Sequence, residues 1–140
     1  MSRLKPVSQQ DYQTLAAFRK ALREFLRFSE EAALAEGIAP QQHQTLLVIG
    51  ACPPAGAVTV GEVAAHLQIK HHSAVGLVER MRSAGLITKE PDASDRRKVS
   101  LRLTAEGQRM LENLSSAHKS ELARLGPALR SMLQTLEESN

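Results

Sequence analysis

Cysteine and aromatic residues are scarce in this 140-residue sequence, which has one cysteine, no tryptophan, one tyrosine and three phenylalanines. A single cysteine excludes an internal disulfide framework and fits a reducing compartment such as the cytoplasm. The apolar runs are only a few residues long, so no transmembrane helix is expected. The first five residues, Met-Ser-Arg-Leu-Lys, lack the apolar core of a signal peptide. We therefore expect a cytoplasmic protein with no membrane partner.

Motifs for catalysis, metal binding and phosphate binding are lacking as well. The sequence has no HExxH motif, no paired CxxC motif and no glycine-rich phosphate loop. Ser73 follows His72, but a catalytic triad needs a third group that orients the base. Glu62 and His66 are four residues apart and are compatible with two metal ligands on one helix face, although the other histidines lie in separate elements. We expect no enzyme, no cofactor and no metal.

The positive charge is unevenly distributed along an otherwise ordinary globular composition of 42% hydrophobic and 24% charged residues. A chain of this length forms one domain with a real core, so we expect a single domain over residues 1–140. Residues 60–103 carry eight Lys or Arg against five Asp or Glu, whereas the segments on either side are nearly neutral. This excess favours a polyanionic partner at 60–103; an ordinary solvated face is the alternative.

A short helix is predicted to begin at Val60, because Thr59 and Glu62 form a capping box. Its apolar stripe is Val63, Ala64 and Leu67. A three-residue polar break follows, and a second helix is predicted over 71–84. Its buried face is expected to hold Val75, Val78 and Met81, and Gly85 suits the left-handed position that ends a helix. Two short helices joined in this way form a helix-turn-helix, whose second helix enters the DNA major groove.

A β-hairpin with a basic tip is predicted directly after these helices. Residues 86–89 are β-prone, and Val99–Leu103 alternates apolar and polar residues as a half-buried strand does. The loop between them, 91–98, is too polar for a core and ends in Arg96, Arg97 and Lys98. A basic hairpin beside a recognition helix is a wing, so the segment reads as a winged helix-turn-helix.

At this point the residues resemble the MarR family of bacterial transcription regulators. The resemblance rests on Leu-Ile at 86–87, Pro-Asp at 91–92, Asp-Arg-Arg at 95–97 and Leu-Thr-Ala-Glu-Gly at 103–107. The family's Asp-x-Arg wing signature falls on Asp95 and Arg97, and the stretch 67–85 is similar to its recognition helix. The resemblance implies a mainly α fold with a small β-wing, and a winged helix-turn-helix at 40–107 between dimerisation helices at 8–36 and 108–140.

The function implied by the resemblance is sequence-specific DNA binding by a homodimeric, ligand-responsive repressor on a pseudo-palindromic operator. The recognition helix and the wing supply the expected contacts to double-stranded DNA: Lys70, His71, His72, Ser73, Arg80, Asp95, Arg96, Arg97 and Lys98. Arg97 is the residue inserted into the minor groove by resemblance, and Asp95 orients it or braces the wing. Gly76 departs from the pattern, since many family members carry a longer polar residue there.

Outside the winged segment the pattern predicts helices. A long helix follows Ser8 and ends at Gly37, and the helix that begins at Pro40 is expected to bury Leu46, Leu47 and Ile49. Residues 57–58 are expected to add a short strand to the wing sheet. After Thr104 a helix is predicted to break at Gly126-Pro127, followed by a final helix over 128–137. The apolar stripes of the terminal helices predict a two-fold dimer.

All four aromatic residues lie in the first helix, where they form either dimer core or one wall of an effector pocket. We expect a small effector, by resemblance often aromatic or anionic, at Tyr12, Phe18, Phe25 and His43. One alternative is a metal- or thiol-responsive regulator of the same fold. Against it, peroxide-sensing family members carry their cysteine on the first helix, whereas Cys52 lies in a later loop. The other alternative is a winged-helix protein-interaction module without DNA binding, against which the basic wing tip argues.

Overall fold

The structure is a computed structural model that describes residues 4–53, 56–92 and 94–140. In chain order it comprises the helices and strands α1 (Gln9–Ala35), α2 (Pro40–Ala51), α3 (Val60–Leu67), α4 (His71–Ser83), β1 (Ile87–Pro91), β2 (Val99–Leu103) and α5 (Ala105–Glu138). Its mainly helical composition with one two-stranded sheet confirms the predicted fold class. The chain divides into two compact units. The winged unit is Ala32–Ser115, and the terminal unit consists of the residues up to Glu31 together with Ser116–Asn140.

Local backbone chemistry fixes the helix-turn-helix in the winged unit. The Thr59 hydroxyl accepts a hydrogen bond from the Glu62 backbone N–H at 3.2 Å, as the capping motif predicts. α3 ends at Leu67, and its C-cap residue Gln68 adopts the left-handed conformation (φ 55°) and starts the turn into α4. Gly85, with φ 76°, lies just beyond the end of α4, where glycine avoids the steric cost of a side chain.

The wing is an antiparallel hairpin in which Ile87 pairs with Leu103 and Pro91 pairs with Val99. β2 has the predicted bounds, whereas β1 begins one residue later and runs two residues further than predicted. Val58 forms an isolated antiparallel bridge with Leu101, so the expected addition to the wing sheet is one bridging residue and not a third strand. The predicted alternation of buried apolar and exposed polar residues is wrong at the start of β2, because Val99 is exposed and Ser100 is buried.

The core of the winged unit is formed by apolar side chains from all its helices and strands: Leu46, Val63, Leu77, Val78, Met81, Ile87, Leu101 and Leu111. Two predicted core residues are wrong, since Leu47 is 50% exposed and Val75 is 38% exposed. α4 buries Ala74 in place of Val75. Val75 lies about 100° around the helix from Ala74, outside the stripe that Leu77, Val78 and Met81 continue.

The junction between α4 and α5 holds the wing against the recognition helix. The Thr104 hydroxyl donates to the Gly85 carbonyl at 2.6 Å and accepts from the Gly107 N–H at 3.0 Å. A Cβ atom at Gly107 would overlap the carbonyl group of Leu86. Glycine at 107 is therefore required for α5 to start this close to the Leu86 backbone.

α5 is a single continuous helix, so the predicted break at Gly126-Pro127 is wrong. Proline in a helix interior removes one backbone hydrogen bond and costs about 3 kcal/mol. That cost is local, and the remaining backbone hydrogen bonds of α5, which continues to Glu138, outweigh it. In the described parts of the chain, no helix is both long enough and apolar enough to span a lipid bilayer.

The terminal unit buries little apolar surface of its own. Among its described residues, Leu125 is the only buried hydrophobic residue. Large apolar side chains remain exposed on it: Leu4, Val7, Tyr12, Leu15, Leu22, Leu26, Leu122 and Leu133. Tyr12, Leu15, Leu22 and Leu26 follow a helical spacing of three, seven and four residues and therefore share one face of α1.

Candidate nucleic-acid interface

The start of α4 presents unsatisfied backbone donors to solvent. Lys70 occupies the N-cap position, but no side chain caps the helix and its first turn contains no acidic residue. The side chains of Lys70, His71, His72 and Ser73 are all exposed. The positive end of the helix dipole and the free N–H groups therefore coincide with a lysine, an arrangement that attracts an anion such as a phosphate group.

The rest of the exposed face of α4 continues from His72 through Gly76 to Arg80 at four-residue intervals. Residues four apart lie on the same face of a helix. Ala74, Leu77, Val78 and Met81 are buried on the opposite side. The buried stripe thus fixes which side chains of α4 are presented outward.

Glu79 links α4 to the wing. Its carboxylate accepts a charge-assisted hydrogen bond from Lys89 on β1, and the Arg82 guanidinium lies 3.9 Å away. Hydrogen bonding to Lys89, reinforced by the charges of Lys89 and Arg82, holds the pKa of the Glu79 carboxyl below its ordinary value of 4.5. Sequence reasoning missed this pair, because ten residues and a change of element separate its members.

The tip of the wing is ordered by its own hydrogen bonds. Asp92 donates its N–H to the Lys98 carbonyl at 3.0 Å, and Lys98 donates its N–H to the Asp95 carbonyl at 3.0 Å. The Asp95 carboxylate accepts from the Arg97 backbone N–H at 3.0 Å and from Arg97 Nε at 3.3 Å. One carboxylate therefore fixes both the turn and the base of the arginine side chain.

The outward part of Arg97 stays accessible. Its side chain is 92% exposed, against 32% for Asp95. Arg96 and Lys98 are exposed beside it, and within the described residues neither forms an ion pair. Since Asp95 engages only Nε, the terminal nitrogens of Arg97 remain available to donate to a further acceptor.

All nine residues predicted to contact DNA lie in the winged unit. Eight of them are exposed, and Asp95 is half-buried beneath Arg97. The structure thus presents these side chains on the recognition helix and on the hairpin that β1 and β2 hold. Their contact with DNA stays a prediction.

The predicted effector residues are distributed over both units. Tyr12, Phe18 and Phe25 belong to the terminal unit, whereas His43 is a buried residue of the winged unit. Phe25 packs edge-on against His118, with ring centroids 5.8 Å apart.

Sequence reasoning missed the neighbours of Phe25 in the terminal unit. Phe28 packs against the same His118 ring at 5.4 Å, and His118 Nε2 lies 2.8 Å from the Ser29 hydroxyl. The available signal was the position of His118 on the apolar stripe of α5, four residues after Leu114. A histidine within an apolar stripe needs a polar partner, and the sequence could have prompted a search for that partner on α1.

A small cavity in the winged unit brings together residues relevant to the metal and thiol alternatives. Its volume is about 240 Å³, and its lining includes Cys52, Glu62 and His66. The Cys52 thiol donates a weak hydrogen bond to the Pro53 carbonyl at 3.5 Å. Within the described parts of the chain, no group of three or more His, Cys, Asp or Glu side chains is arranged to hold a metal ion.

The fold is a winged helix-turn-helix with exposed cations at the start of α4 and at the tip of the wing. The sequence model of the MarR family matches residues 36–98 of this chain. The resemblance to this family that the sequence predicts is confirmed.

Individual relatives are distant. The chain is 28% identical over 109 residues to the HTH-type transcriptional repressor MdtR of Bacillus subtilis, covering 78% of this chain and 66% of MdtR, just under two thirds. A Staphylococcus aureus MepR mutant bound to an oligodeoxyribonucleotide has a similar fold, with a TM-score of 0.68, 22% identity and coverage of 86% of this chain and 96% of that one. CouR of Rhodococcus jostii RHA1 bound to p-coumaroyl-CoA gives a TM-score of 0.69, 22% identity and coverage of 86% and 87%.

Proposed function

We propose that this protein is a transcription regulator that binds double-stranded DNA as a homodimer, represses transcription and is released by a small effector. The observation that carries the proposal is the Asp95-held Arg97 at the wing tip, in the same unit as an uncapped, lysine-led recognition helix. A fixed cation gains from the phosphate field on any sequence and gains more in a narrow minor groove. The name of MdtR as a repressor and the DNA-bound MepR structure support the same function.

The dimer would form through the terminal unit. The apolar face of α1 formed by Tyr12, Leu15, Leu22 and Leu26 is exposed in a single chain. Burying a large apolar side chain completely contributes about 1.5–3 kcal/mol, so a symmetric contact that covers this face on two chains would be strongly favoured. A two-fold dimer presents two recognition helices, which matches a pseudo-palindromic site with half-sites about 10 bp apart.

An effector would bind at the aromatic residues of α1, with Tyr12, Phe18 and Phe25 as the wall of its site. The clustering of aromatic residues on α1 supports an aromatic or acyl ligand, and CouR is bound to p-coumaroyl-CoA. Such a ligand releases DNA only if it prefers the conformation that does not bind DNA.

DNA binding is tested with the region immediately upstream of the protein's own gene, by fluorescence anisotropy at several salt concentrations. We expect Arg97→Ala to weaken binding to every sequence and to lower the salt slope by about one unit. His72→Ala should mainly relax preference at one position per half-site and leave the slope unchanged, because base contacts specify while phosphate contacts position. If Arg97→Ala leaves affinity and slope untouched in a folded dimer, the wing is not a DNA contact. If the wild-type protein binds no DNA, the protein-interaction alternative is favoured.

The effector class is tested by adding ligands to the preformed complex with wild type and with Cys52→Ser. We expect release by the same ligand in both proteins, and no effect of chelators on DNA affinity. Loss of the response in Cys52→Ser would establish the thiol-responsive alternative, and a change with chelators would establish the metal-responsive one.

A further inference from the structure

Gly76 leaves a gap on the exposed face of the recognition helix, and one side chain fills it. A Cβ atom built on Gly76 would lie 3.2 Å from Arg80 Nη1. Apart from its chain neighbours, no other described side-chain atom lies within 4 Å of that position. The guanidinium of Arg80 therefore occupies the space that a side chain at position 76 would otherwise take.

The direction of Arg80 follows from helix geometry. Side chains on an α-helix lean toward its N-terminus, over the residue four positions earlier. One turn is about 5.4 Å, so the Arg80 guanidinium is carried roughly one turn toward the end of α4 that holds His72. That end faces base edges when a recognition helix docks in the major groove.

Arg80 is also free of the ion pairs that engage its neighbours. Glu79 binds Lys89 and has Arg82 at 3.9 Å, on the side of α4 that meets the wing. Arg80 is exposed, and within the described residues its side chain forms no hydrogen bond or ion pair. All five of its N–H donors are thus available.

We propose that Arg80 reads a guanine in the major groove, lying across Gly76 and taking the place of a base-contacting side chain at position 76. Arginine matches guanine O6 and N7 with two parallel hydrogen bonds, and the glycine supplies the room for the guanidinium to reach them. This inference rests on the proposed function, since it assigns the base read by the middle of α4.

The test is selection of binding sites from a randomised half-site library by wild type, Arg80→Gln and Arg82→Gln. Wild type should select guanine at one symmetric position in each half-site. Arg80→Gln should lose that preference by about 5- to 150-fold, the range of one good bidentate contact, and shift it toward adenine, which glutamine matches. Arg82→Gln removes the same charge from the same helix and should leave the preference for guanine unchanged.

Gly76→Ala provides a second, independent variant. The added methyl group forces the Arg80 guanidinium to shift by a few tenths of an ångström, so the guanine preference should fall several-fold. The melting temperature should rise, because alanine is the better helix former. In the Arg80→Gln background, Gly76→Ala should have no further effect on selection, since the group that it displaces is already absent.

Other outcomes overturn the inference. If Arg80→Gln weakens binding to all sequences equally and lowers the salt slope by about one, Arg80 contacts phosphate and reads no base. An unchanged guanine preference in Arg80→Gln or in Gly76→Ala would also contradict it. Both results leave the proposed function intact, whereas a wild-type protein that selects no sequence at all would overturn the proposed function as well.

Discussion

Asp95 has two opposing effects at the proposed DNA-binding surface, and the hydrogen bond that it accepts from the Arg97 backbone is one of them. Its charge repels phosphate, while its oxygen orders the wing tip. Asparagine removes the charge and keeps the oxygen, whereas alanine removes both. We expect Asp95→Ala to bind operator DNA about two- to tenfold more weakly than Asp95→Asn, matching about 0.5–1.5 kcal/mol for one hydrogen bond. Anisotropy titrations measure the difference, and equal affinities would show that Asp95 does not position Arg97.

At the residue scale, the sequence predicts which side chains are exposed to solvent but not which side chains contact each other. The spacing of the buried stripe places His72, Gly76 and Arg80 on the outer face of α4, and the motif at the wing predicts the contact between Asp95 and Arg97. The position of the Arg80 guanidinium over Gly76 depends on side-chain conformation. Spacing alone does not specify that conformation.

The pairing of Glu79 with Lys89 couples two elements, α4 and β1, and makes their stability depend on pH. The folded-state pKa of Glu79 lies below 4.5, so its contribution is present above that value and is lost as the pH falls through the lowered pKa. We expect Glu79→Gln to lower the melting temperature at neutral pH, with the difference from wild type shrinking as the solution is acidified below 4.5. Thermal unfolding followed by circular dichroism at several pH values measures this. A difference that is independent of pH would contradict the ion-pair explanation.

Two glycines of α5 should respond differently to alanine. A Cβ atom at Gly107 overlaps the Leu86 carbonyl, whereas at Gly126, leaving aside its chain neighbours and its own helix backbone, no described atom lies within 4 Å of a Cβ. Gly107→Ala should destabilise the protein by about 1–3 kcal/mol or more through overpacking. Gly126→Ala, the control, should change the stability by less than about 1 kcal/mol, because the higher helix propensity of alanine is opposed by crowding against the Pro127 ring. Urea unfolding measures both, and similar stabilities would mean that the junction has room to relax.

Helices and strands of the winged unit were predictable because each has a local signal. Thr59, Gly85 and Thr104 mark helix ends through their own hydrogen bonds or backbone conformation, and the basic loop separates β1 from β2. The misplaced break at Pro127 has the opposite cause, since a local signal was overridden by the continuity of a long helix. Val75 was misplaced because a spacing of three residues drifts away from the buried stripe.

For the whole molecule, we expect a dimer in solution with twice the 15.3 kDa mass of the chain, measured by sedimentation at micromolar concentration. Leu26→Glu should dissociate it, because the charge would be buried in the interface. Leu47→Glu is the control, since Leu47 is similarly exposed in the winged unit. A monomer that still binds its operator tightly, or equal effects of the two substitutions, would contradict the proposed dimer.

The exposed apolar face of α1 also bears on how much of the protein a cell must make. If two copies are needed to cover that face, the folded and DNA-competent species depends on chain concentration. Below the dissociation constant of the dimer, halving the number of chains lowers the number of dimers about fourfold by mass action. Occupancy of the operator then follows the square of the expression level, so small changes in synthesis or degradation of the regulator produce steeper changes in the transcription of its target.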